Sequence, residues 1–188
     1  MNLAPTNPAW IAAVLGDFDR FLQDHASCEK KASGMALSLA SHYPDRPVLV
    51  NAMVDLAVEE LSHYREVVRL LVKRGLTIAP DTRDPYVRQL NALVRQGSDL
   101  YLLDRLLVAS VIERRGHERF GLVAQALPEG AEKKFFTALT QAEARHWTVF
   151  LDLAREYCDP DAVESRLHSL VGAEAEIVAA LPLAPRVH

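Results

Sequence analysis

The sequence predicts an all-α protein in which four long helices form an antiparallel bundle and a further helix follows near the C-terminus. Three observations support this fold class. Apolar residues recur at three- and four-residue steps over several segments of more than twenty residues, which is the helical period. Proline and glycine fall between these segments, where helices begin or end. No segment combines apolar–polar alternation with the Val, Ile and Thr content of a β-strand.

The long helical segments group into two hairpins with a longer connection between them. Pro44 is expected to end the first helix, and Pro47 suits the first turn of the second. No low-complexity stretch or linker interrupts the chain, so we expect a single domain over residues 1–188. The predicted helices cover residues 15–41, 47–74, 85–96, 99–126, 131–157 and 161–180.

Composition indicates an ordinary globular protein of the cytoplasm. Hydrophobic residues make up 49% and charged residues 24% of the 188 positions, which argues against a disordered chain. No apolar run approaches the length of a membrane span, and the first ten residues lack the pattern of a secretory signal. Cys28 and Cys158 are far apart and form no disulfide framework, which favours reduced thiols. We therefore expect a cytoplasmic location and no membrane partner.

Two short motifs combine a glutamate and a histidine three positions apart. They are Glu60-Leu61-Ser62-His63 and Glu143-Ala144-Arg145-His146, each in the second helix of a predicted hairpin. Residues three apart in a helix differ by about 60° around the axis and about 4.5 Å along it. A carboxylate and an imidazole at that spacing can both reach one metal ion. A single such motif is weak support for a metal site, because glutamate is common in helices and a nearby histidine is usually solvated.

The placement of the two motifs is more specific than the motifs themselves. Glu29 precedes Glu60 by 31 positions, and Glu113 precedes Glu143 by 30. The chain thus repeats a glutamate in the first helix of a hairpin and a Glu-x-x-His motif in the second. Di-iron and di-manganese carboxylate bundles use this ligand pattern. The predicted metal ligands are Glu29, Glu60, His63, Glu113, Glu143 and His146.

The residues around the first-helix glutamates agree with a buried metal site. Glu29 lies between Ala26 and Ala32, and Glu113 follows Val111 and Ile112. A carboxylate on the apolar side of a helix needs a compensating partner, and four converging carboxylates would repel one another. Two divalent cations resolve both problems. The nitrogen and oxygen donors suit iron, and manganese is an alternative.

Two ligand assignments have a competitor nearby. Glu118 and His117 lie one turn after Glu113 and offer the same kinds of donor atom. Glu59 precedes Glu60, but only Glu60 has a histidine at the right offset.

Several stretches of the sequence resemble one family of RNA-modifying enzymes. In the same order and over nearly the whole chain, they are similar to the tRNA hydroxylases that act on 2-methylthio-N6-isopentenyladenosine. The Glu-x-x-His motifs alone would indicate only the broader ferritin-like superfamily, and the first two stretches together are far more specific. The stretches are DHASCEKKAS (24–33), EELSHY (59–64), KRG (73–75), LLVASVIERRGHERF (106–120) and EARHW (143–147).

The resemblance implies a ferritin-like fold and a di-iron monooxygenase. The family hydroxylates the isopentenyl side chain of the modified adenosine at tRNA position 37, beside the anticodon, and its ligands correspond to the six residues named above. Such a reaction uses O2 and two electrons, and the chain has no dinucleotide-binding fingerprint. An external electron-donor protein is therefore implied. The chain departs from the family at Gly116-His117, where a small residue followed by cysteine is expected, so His117 either replaces a packing residue or adds a polar group.

A basic segment could meet the RNA backbone. Residues 65–119 contain eleven Lys or Arg and seven Asp or Glu, which gives +4 in a chain of net charge −4. Such an asymmetry suits phosphate binding, although a solvated helix surface with intrahelical ion pairs would give the same counts. With the resemblance to tRNA enzymes, the segment predicts tRNA contacts at Lys73, Arg74, Arg88 and Arg95.

Other functions remain compatible with the motifs. A ferritin- or rubrerythrin-type protein that handles iron or acts as a peroxidase would use the same six ligands. A di-iron or di-manganese oxidase could act on a small substrate instead of RNA. A structural bundle without metal is the remaining alternative, and the paired motifs argue against it.

Overall fold

The structure is a computed structural model that describes residues 1–188, apart from the side chains of residues 98 and 99. Every regular element in this described range is an α-helix, so the all-α prediction is confirmed. No described helix is both long enough and apolar enough to cross a bilayer. The helices are α1 (Ala9–Gly16), α2 (Phe18–His42), α3 (Pro47–Lys73), α4 (Pro85–Asn91), α5 (Ser98–Ala126), α6 (Ala131–Glu143), α7 (His146–Tyr157) and α8 (Pro160–Ala180).

The chain forms two compact units, and neither is a single stretch of sequence. The hairpin unit comprises Ala12–Thr82 and Ala184–Val187. The α5 unit comprises Met1–Ile11, Arg83–Leu183 and His188.

The hairpin unit is built on α2 and α3, which pack against each other along their length. The apolar residues that recur at helical spacing are the buried ones, so each helix presents one apolar face. The hydroxyl of Ser33 donates a 2.8 Å hydrogen bond to the carbonyl of Ala57, which fixes the two helices at their middle. The main buried apolar residues are Phe21, Leu22, Ala26, Ala36 and Leu39 in α2, and Leu49, Met53, Leu56, Val67 and Leu71 in α3.

The C-terminus of α3 ends in a glycine-dependent turn. Gly75 has a φ of 75°, in the left-handed region that other residues rarely adopt. The amide of Leu76 donates to the carbonyl of Leu71 at 2.9 Å, and the amide of Gly75 donates to Val72 at 3.0 Å. This pair of bonds is a Schellman motif, which satisfies carbonyl groups that the helix itself leaves unpaired.

The segment after that turn runs back along α2. Gln23 donates to the carbonyl of Thr77 at 2.8 Å, and Lys31 donates to the carbonyl of Thr82 at 2.7 Å. Lys30 forms a 2.7 Å ion pair with Asp81. The two lysines of the DHASCEKKAS stretch therefore hold this segment within the hairpin unit.

The α5 unit is organised around α5, which packs against α4, α6, α7 and α8. Its core includes Leu102, Leu106, Leu107, Val111 and Phe120 of α5, which lie on more than one side of the helix because neighbouring helices surround it. Asp104 is fully buried between two arginines. Arg95 contacts its carboxylate at 2.7 Å, and Arg166 contacts it at 2.8 Å.

A buried charged network joins α5 to α8 and to the N-terminal segment. The guanidinium of Arg115 donates to both carboxylate oxygens of Glu174, at 2.7 and 2.9 Å, and both side chains are fully buried. The hydroxyl of Tyr86 also donates to Glu174, at 3.0 Å. Thr6 accepts from Arg115 at 3.0 Å and donates to Glu118 at 2.8 Å. Buried charges of this kind persist because they are paired and hydrogen-bonded.

The predicted helix boundaries differ from the structure in three places. Ala9–Gly16 is a separate helix that sequence analysis missed; the Asn7 side chain accepts from the amide of Ala9, and Asp17 caps the next helix. The short helix predicted to residue 96 ends at Asn91. The helix predicted over residues 131–157 is two helices, with a break after Glu143.

Candidate metal centre

Three predicted ligands come together in the hairpin unit. Glu29 comes from α2, and Glu60 and His63 come from α3; we call them the Glu29 cluster. One ligand atom of each lies within 4.8 Å of the others. The Nδ1 of His63 is 3.7 Å from a carboxylate oxygen of Glu29 and 3.7 Å from one of Glu60. Glu29 and Glu60 are buried, whereas the His63 side chain is 16% exposed.

His25 adds a fourth functional group to this cluster, and sequence analysis missed it. It is fully buried one turn before Glu29, and its Nε2 lies 2.5 Å from Oε1 of that glutamate. A ring N–H in this position donates to the carboxylate and fixes its orientation. The i, i+4 spacing of His25 and Glu29 within DHASCE was the signal that could have identified it.

The other three predicted ligands come together in the α5 unit. Glu113 comes from α5, Glu143 from the end of α6, and His146 from the start of α7; we call them the Glu143 cluster. One ligand atom of each lies within 4.8 Å of the others. The Nδ1 of His146 is 2.8 Å from a carboxylate oxygen of Glu143, and both side chains are buried. Glu113 is half-buried.

The helix break falls between two of these ligands. The amide of Arg145 bonds to Ala142, three residues back, at 3.4 Å. The carbonyl of Arg145 accepts from the Thr148 hydroxyl at 2.7 Å as well as from the amides of Thr148 and Val149. A threonine hydroxyl that competes for a backbone carbonyl favours such an interruption. The carboxylate and imidazole still meet across the break, so the motif does not require one continuous helix.

Side chains from α5 support the α7 side of the break. The hydroxyl of Ser110 donates to the carbonyl of Trp147 at 2.7 Å. The guanidinium of Arg114 lies 5.9 Å from the centre of the Trp147 ring, a cation–π contact. It also donates to Nδ1 of His117 at 2.9 Å. The residues next to Glu113 and His146 in sequence are therefore in contact with each other.

His117 adds a polar group rather than a packing residue. Its burial and the charge of Arg114 lower the pKa of the imidazole, which accepts a hydrogen bond in its neutral form. At the position where the resemblance led us to expect cysteine, the chain thus places a hydrogen-bond acceptor beside Arg114.

The structure shows which of the competing glutamates belong to the two clusters. Glu118 accepts from the amide of Thr6 at 2.9 Å and also bonds to Arg115, so it belongs to the buried network. Burial raises the pKa of Glu118, but the Thr6 amide and Arg115 outweigh that effect and lower it. Glu113, rather than Glu118, meets Glu143 and His146. In the hairpin unit, Glu60 is buried and Glu59 is half-exposed.

Each cluster suits a divalent transition metal. Each supplies two carboxylates and one imidazole, a hard and borderline donor set that fits iron or manganese. Glu29, Glu60 and Glu143 are buried, and burying carboxylates so close to one another is costly without a nearby cation. In both units, the donor atoms therefore suit the predicted iron or manganese ions.

The structure distinguishes among the basic residues of the segment 65–119. Arg115 and Arg119 are buried and cannot meet RNA. Arg74 is exposed but pairs with Asp19 at 2.6 Å, and Arg95 pairs with Asp104. Lys73 and Arg88 are exposed. The four predicted tRNA contacts thus lie at the surface, and two of them, Arg74 and Arg95, form ion pairs within the protein.

Comparison with known proteins identifies the fold class and the family of this chain. One solved structure, described as a protein with aldehyde deformylating oxygenase activity from Synechococcus, is 32% identical with a TM-score of 0.93. The match covers 98% of this chain and 94% of that one. It confirms the predicted fold class, a ferritin-like antiparallel four-helix bundle with an additional C-terminal helix.

Two curated relatives share one name, tRNA 2-(methylsulfanyl)-N(6)-isopentenyladenosine(37) hydroxylase. The Pseudomonas putida protein is 38% identical over 93% of this chain and 84% of its own length. The Salmonella typhimurium protein is 31% identical over 69% of this chain and 47% of its own length. Residues 2–188 match the profile of the family described as tRNA-(MS2IO6A)-hydroxylase (MiaE). Because the profile covers nearly the whole chain and the first relative is 38% identical, this chain belongs to the MiaE family of tRNA hydroxylases.

Proposed function

We propose that the protein is a tRNA-modifying di-iron monooxygenase. Its substrate would be 2-methylthio-N6-isopentenyladenosine at position 37, and it would hydroxylate the isopentenyl side chain with O2 and two electrons. The observation that carries this proposal is the pair of clusters, each with two glutamates and one histidine whose ligand atoms lie within 4.8 Å. Membership of the family supports the choice of substrate.

The six predicted ligands would hold two iron ions, with manganese as the alternative metal. These are Glu29, Glu60, His63, Glu113, Glu143 and His146. When bound, the metals would supply the redox chemistry for an unactivated C–H bond, which side chains alone do not supply. In the balanced reaction, one oxygen atom enters the product and the other leaves as water with two protons. Both electrons come from an external electron-donor protein.

The chain's own residues would orient the metal ligands and shield them from bulk water. Glu29, Glu60, Glu143 and His146 are buried, which keeps bulk water away from the donor atoms. His25 would orient Glu29, and Ser110 holds the backbone next to His146. Donor groups held by such partners need little reorganisation when a metal binds.

The tRNA would bind through its anticodon loop. Bases in single-stranded loops can be splayed out and bound individually, so a modified adenosine can leave its stack at modest cost. Lys73, Arg74, Arg88 and Arg95 are proposed to contact phosphates. Because Arg74 and Arg95 already pair with Asp19 and Asp104, Lys73 and Arg88 are the stronger candidates.

A tRNA substrate also supports a cytoplasmic location. The chain passes between the two units several times, which supports a single di-iron domain over residues 1–188.

The decisive experiment combines nucleoside mass spectrometry with metal analysis. Purified protein is incubated with iron, O2, a chemical reductant and tRNA that carries the 2-methylthio-isopentenyl modification. We expect a nucleoside with one added oxygen atom and two irons per chain. Glu60→Ala should lose most iron and product, whereas Glu59→Ala, a change at the neighbouring glutamate, should retain both. Fully iron-loaded protein that leaves the nucleoside unchanged would contradict the proposal.

A second candidate follows from the Synechococcus structure. A fatty aldehyde, offered under the same conditions, tests whether the chain shares the activity named for that protein. Turnover of the aldehyde but not of tRNA would favour a small-substrate oxygenase.

A further inference from the structure

Helix α3 carries a row of large apolar side chains on its solvent face. Val54 is 43% exposed, Val58 65%, Leu61 55% and Val72 67%, and Val68 is half-buried. Single exposed apolar residues are normal on protein surfaces, but several of them along one line of a helix mark an interaction surface. We call these five residues the α3 stripe.

The spacing of the stripe is that of a coiled-coil seam. Positions 54, 58, 61, 65, 68 and 72 follow one another at alternating steps of four and three residues. This 3.5-residue period keeps all six side chains on one line along the helix. The line spans eighteen helical steps, or about 27 Å. Arg65 occupies the one charged position, near the middle.

We propose that α3 pairs antiparallel with α3 of a second copy of this chain, through the α3 stripe and about a two-fold axis near residue 63. Isologous pairing about a two-fold axis is the commonest way in which identical chains associate. The stripe is self-complementary in this register. Val54 faces Val72 of the partner subunit, Val58 faces Val68 of the partner subunit, and Leu61 faces the stem of Arg65 of the partner subunit.

The charges beside the stripe favour the antiparallel direction. Asp55 and Arg69 each follow a stripe position by one residue, and antiparallel pairing brings Asp55 next to Arg69 of the partner subunit. Within its own helix, Arg69 contacts Glu66 at 2.6 Å and is 65% exposed, so its guanidinium stays accessible for a second carboxylate. Parallel pairing would instead set Arg65 against Arg65 of the partner subunit inside the seam. Like charges in that position are destabilising, whereas the antiparallel pair lets the Arg65 stem cover Leu61.

Sedimentation equilibrium of the full chain tests the pairing. We expect a mass twice the 20.9 kDa of one chain. Val58→Glu combined with Val72→Glu should convert the protein to monomer while its helical circular dichroism is retained. Ile78→Glu is the matched control, because Ile78 is 51% exposed but lies off α3, and it should remain dimeric. A monomer at the highest soluble concentration, or an assembly of more than two copies, would overturn the proposal.

A charge-swap cycle tests the direction of the pair. Asp55→Arg and Arg69→Asp should each weaken dimerisation by roughly tenfold, because each sets like charges against each other across the interface. The double variant, Asp55→Arg with Arg69→Asp, restores opposite charges and should recover most of the lost affinity. Additive losses in the double variant would overturn the antiparallel pairing.

Discussion

At the scale of single residues, neighbouring histidines contact the carboxylates of Glu29 and Glu143. His25 is the clearest of these neighbours, because it is fully buried and contacts Glu29 within one helical turn. Groups that hydrogen-bond to metal ligands orient them and raise metal affinity. His25 is therefore a positioning residue for Glu29 under the proposed function.

His25→Ala should lower iron affinity without unfolding the hairpin unit. Loss of such a partner typically weakens metal binding by about 10- to 100-fold. His42→Ala is the control, since His42 is an exposed histidine on the same helix. Iron titration followed by absorbance and by metal analysis measures the effect. Equal iron affinity in the two variants would show that His25 does not position the ligand.

Asp84 illustrates how a single charge contributes to stability. Burial raises the pKa of its carboxyl group, but the interaction with His188 and the amides of Val87 and Tyr86 outweigh burial and lower it to about 2. A depressed pKa in the folded state stabilises the protein above the unfolded value of 3.8, and that contribution is lost as pH falls towards 2.

Asp84→Asn should therefore destabilise the protein by about 2 kcal/mol at neutral pH, since one pKa unit corresponds to ~1.4 kcal/mol. The asparagine can still cap α4, so the variant removes mainly the charge. Urea unfolding at several pH values should show the difference from the unmodified protein shrinking between pH 4 and pH 2. Asp45→Asn, which removes a carboxylate at an exposed position, is the control variant. A difference independent of pH would contradict the assignment.

At the scale of the elements, the helices could be predicted from sequence where one apolar face decides them. Recurring apolar residues and the flanking prolines and glycines predicted the order of the long helices α2, α3 and α5 and their limits to within a few residues, although only α2 and α3 bury a single face. The separate α1 was missed because its start depends on Asn7 and on the burial of Trp10, neither of which produces a long periodic pattern. The break between α6 and α7 depends on hydrogen bonds from Thr148 and to Trp147, and apolar periodicity does not report such contacts.

The candidate metal site was also predicted only in part from the sequence. Spacing alone identified three residues in each unit that the structure brings within 4.8 Å of one another. Spacing did not distinguish Glu113 from Glu118, because only the contacts of Glu118 with Thr6 and Arg115 show that it belongs elsewhere. Those partners lie 112 and 3 positions away along the chain, and the distant one could not be inferred from local sequence.

The end of α3 provides a test of backbone conformation. Gly75→Ala should destabilise the protein by about 1 kcal/mol, because alanine at a positive φ is strained even where there is space for its methyl group. Gly34→Ala is the matched control, because Gly34 lies within α2 and a methyl group there would meet no atom within 4 Å. Alanine at this helical position should stabilise the protein by roughly 0.5–1 kcal/mol. Thermal unfolding of the two variants should shift in opposite directions. Shifts of the same sign would contradict this account.

At the scale of the whole molecule, the net charge hides an uneven distribution. The segment 65–119 carries +4 in a chain of −4, but part of its positive charge lies in buried pairs such as Arg115 with Glu174. Charge counts from sequence therefore overstate the surface that is available to RNA. Of the four predicted tRNA contacts, Lys73 and Arg88 are the two that an RNA phosphate can reach without displacing a carboxylate seen in the structure.

Lys73→Gln combined with Arg88→Gln should weaken tRNA binding and reduce its salt dependence. Removing one cation that binds a phosphate lowers the slope of log affinity against log salt by about one, so the double variant should lower it by about two. Filter binding or fluorescence anisotropy over a range of salt concentrations measures both quantities. Arg20→Gln with Lys134→Gln removes two exposed cations outside the basic segment and serves as the control. Unchanged affinity in the first variant would place the RNA surface elsewhere.

The interleaving of the two units along the chain has a consequence for synthesis on the ribosome. Thr6 emerges early, yet its partners Glu118 and Arg115 lie 112 and 109 positions later in the chain. The α2–α3 hairpin can form from local contacts well before then, whereas Thr6 lacks these two partners until α5 has been translated. Such distant pairings slow folding because a long loop has to close before they contribute. The segment around Thr6 is thus among the last to dock, although it is synthesised before α2 and α3.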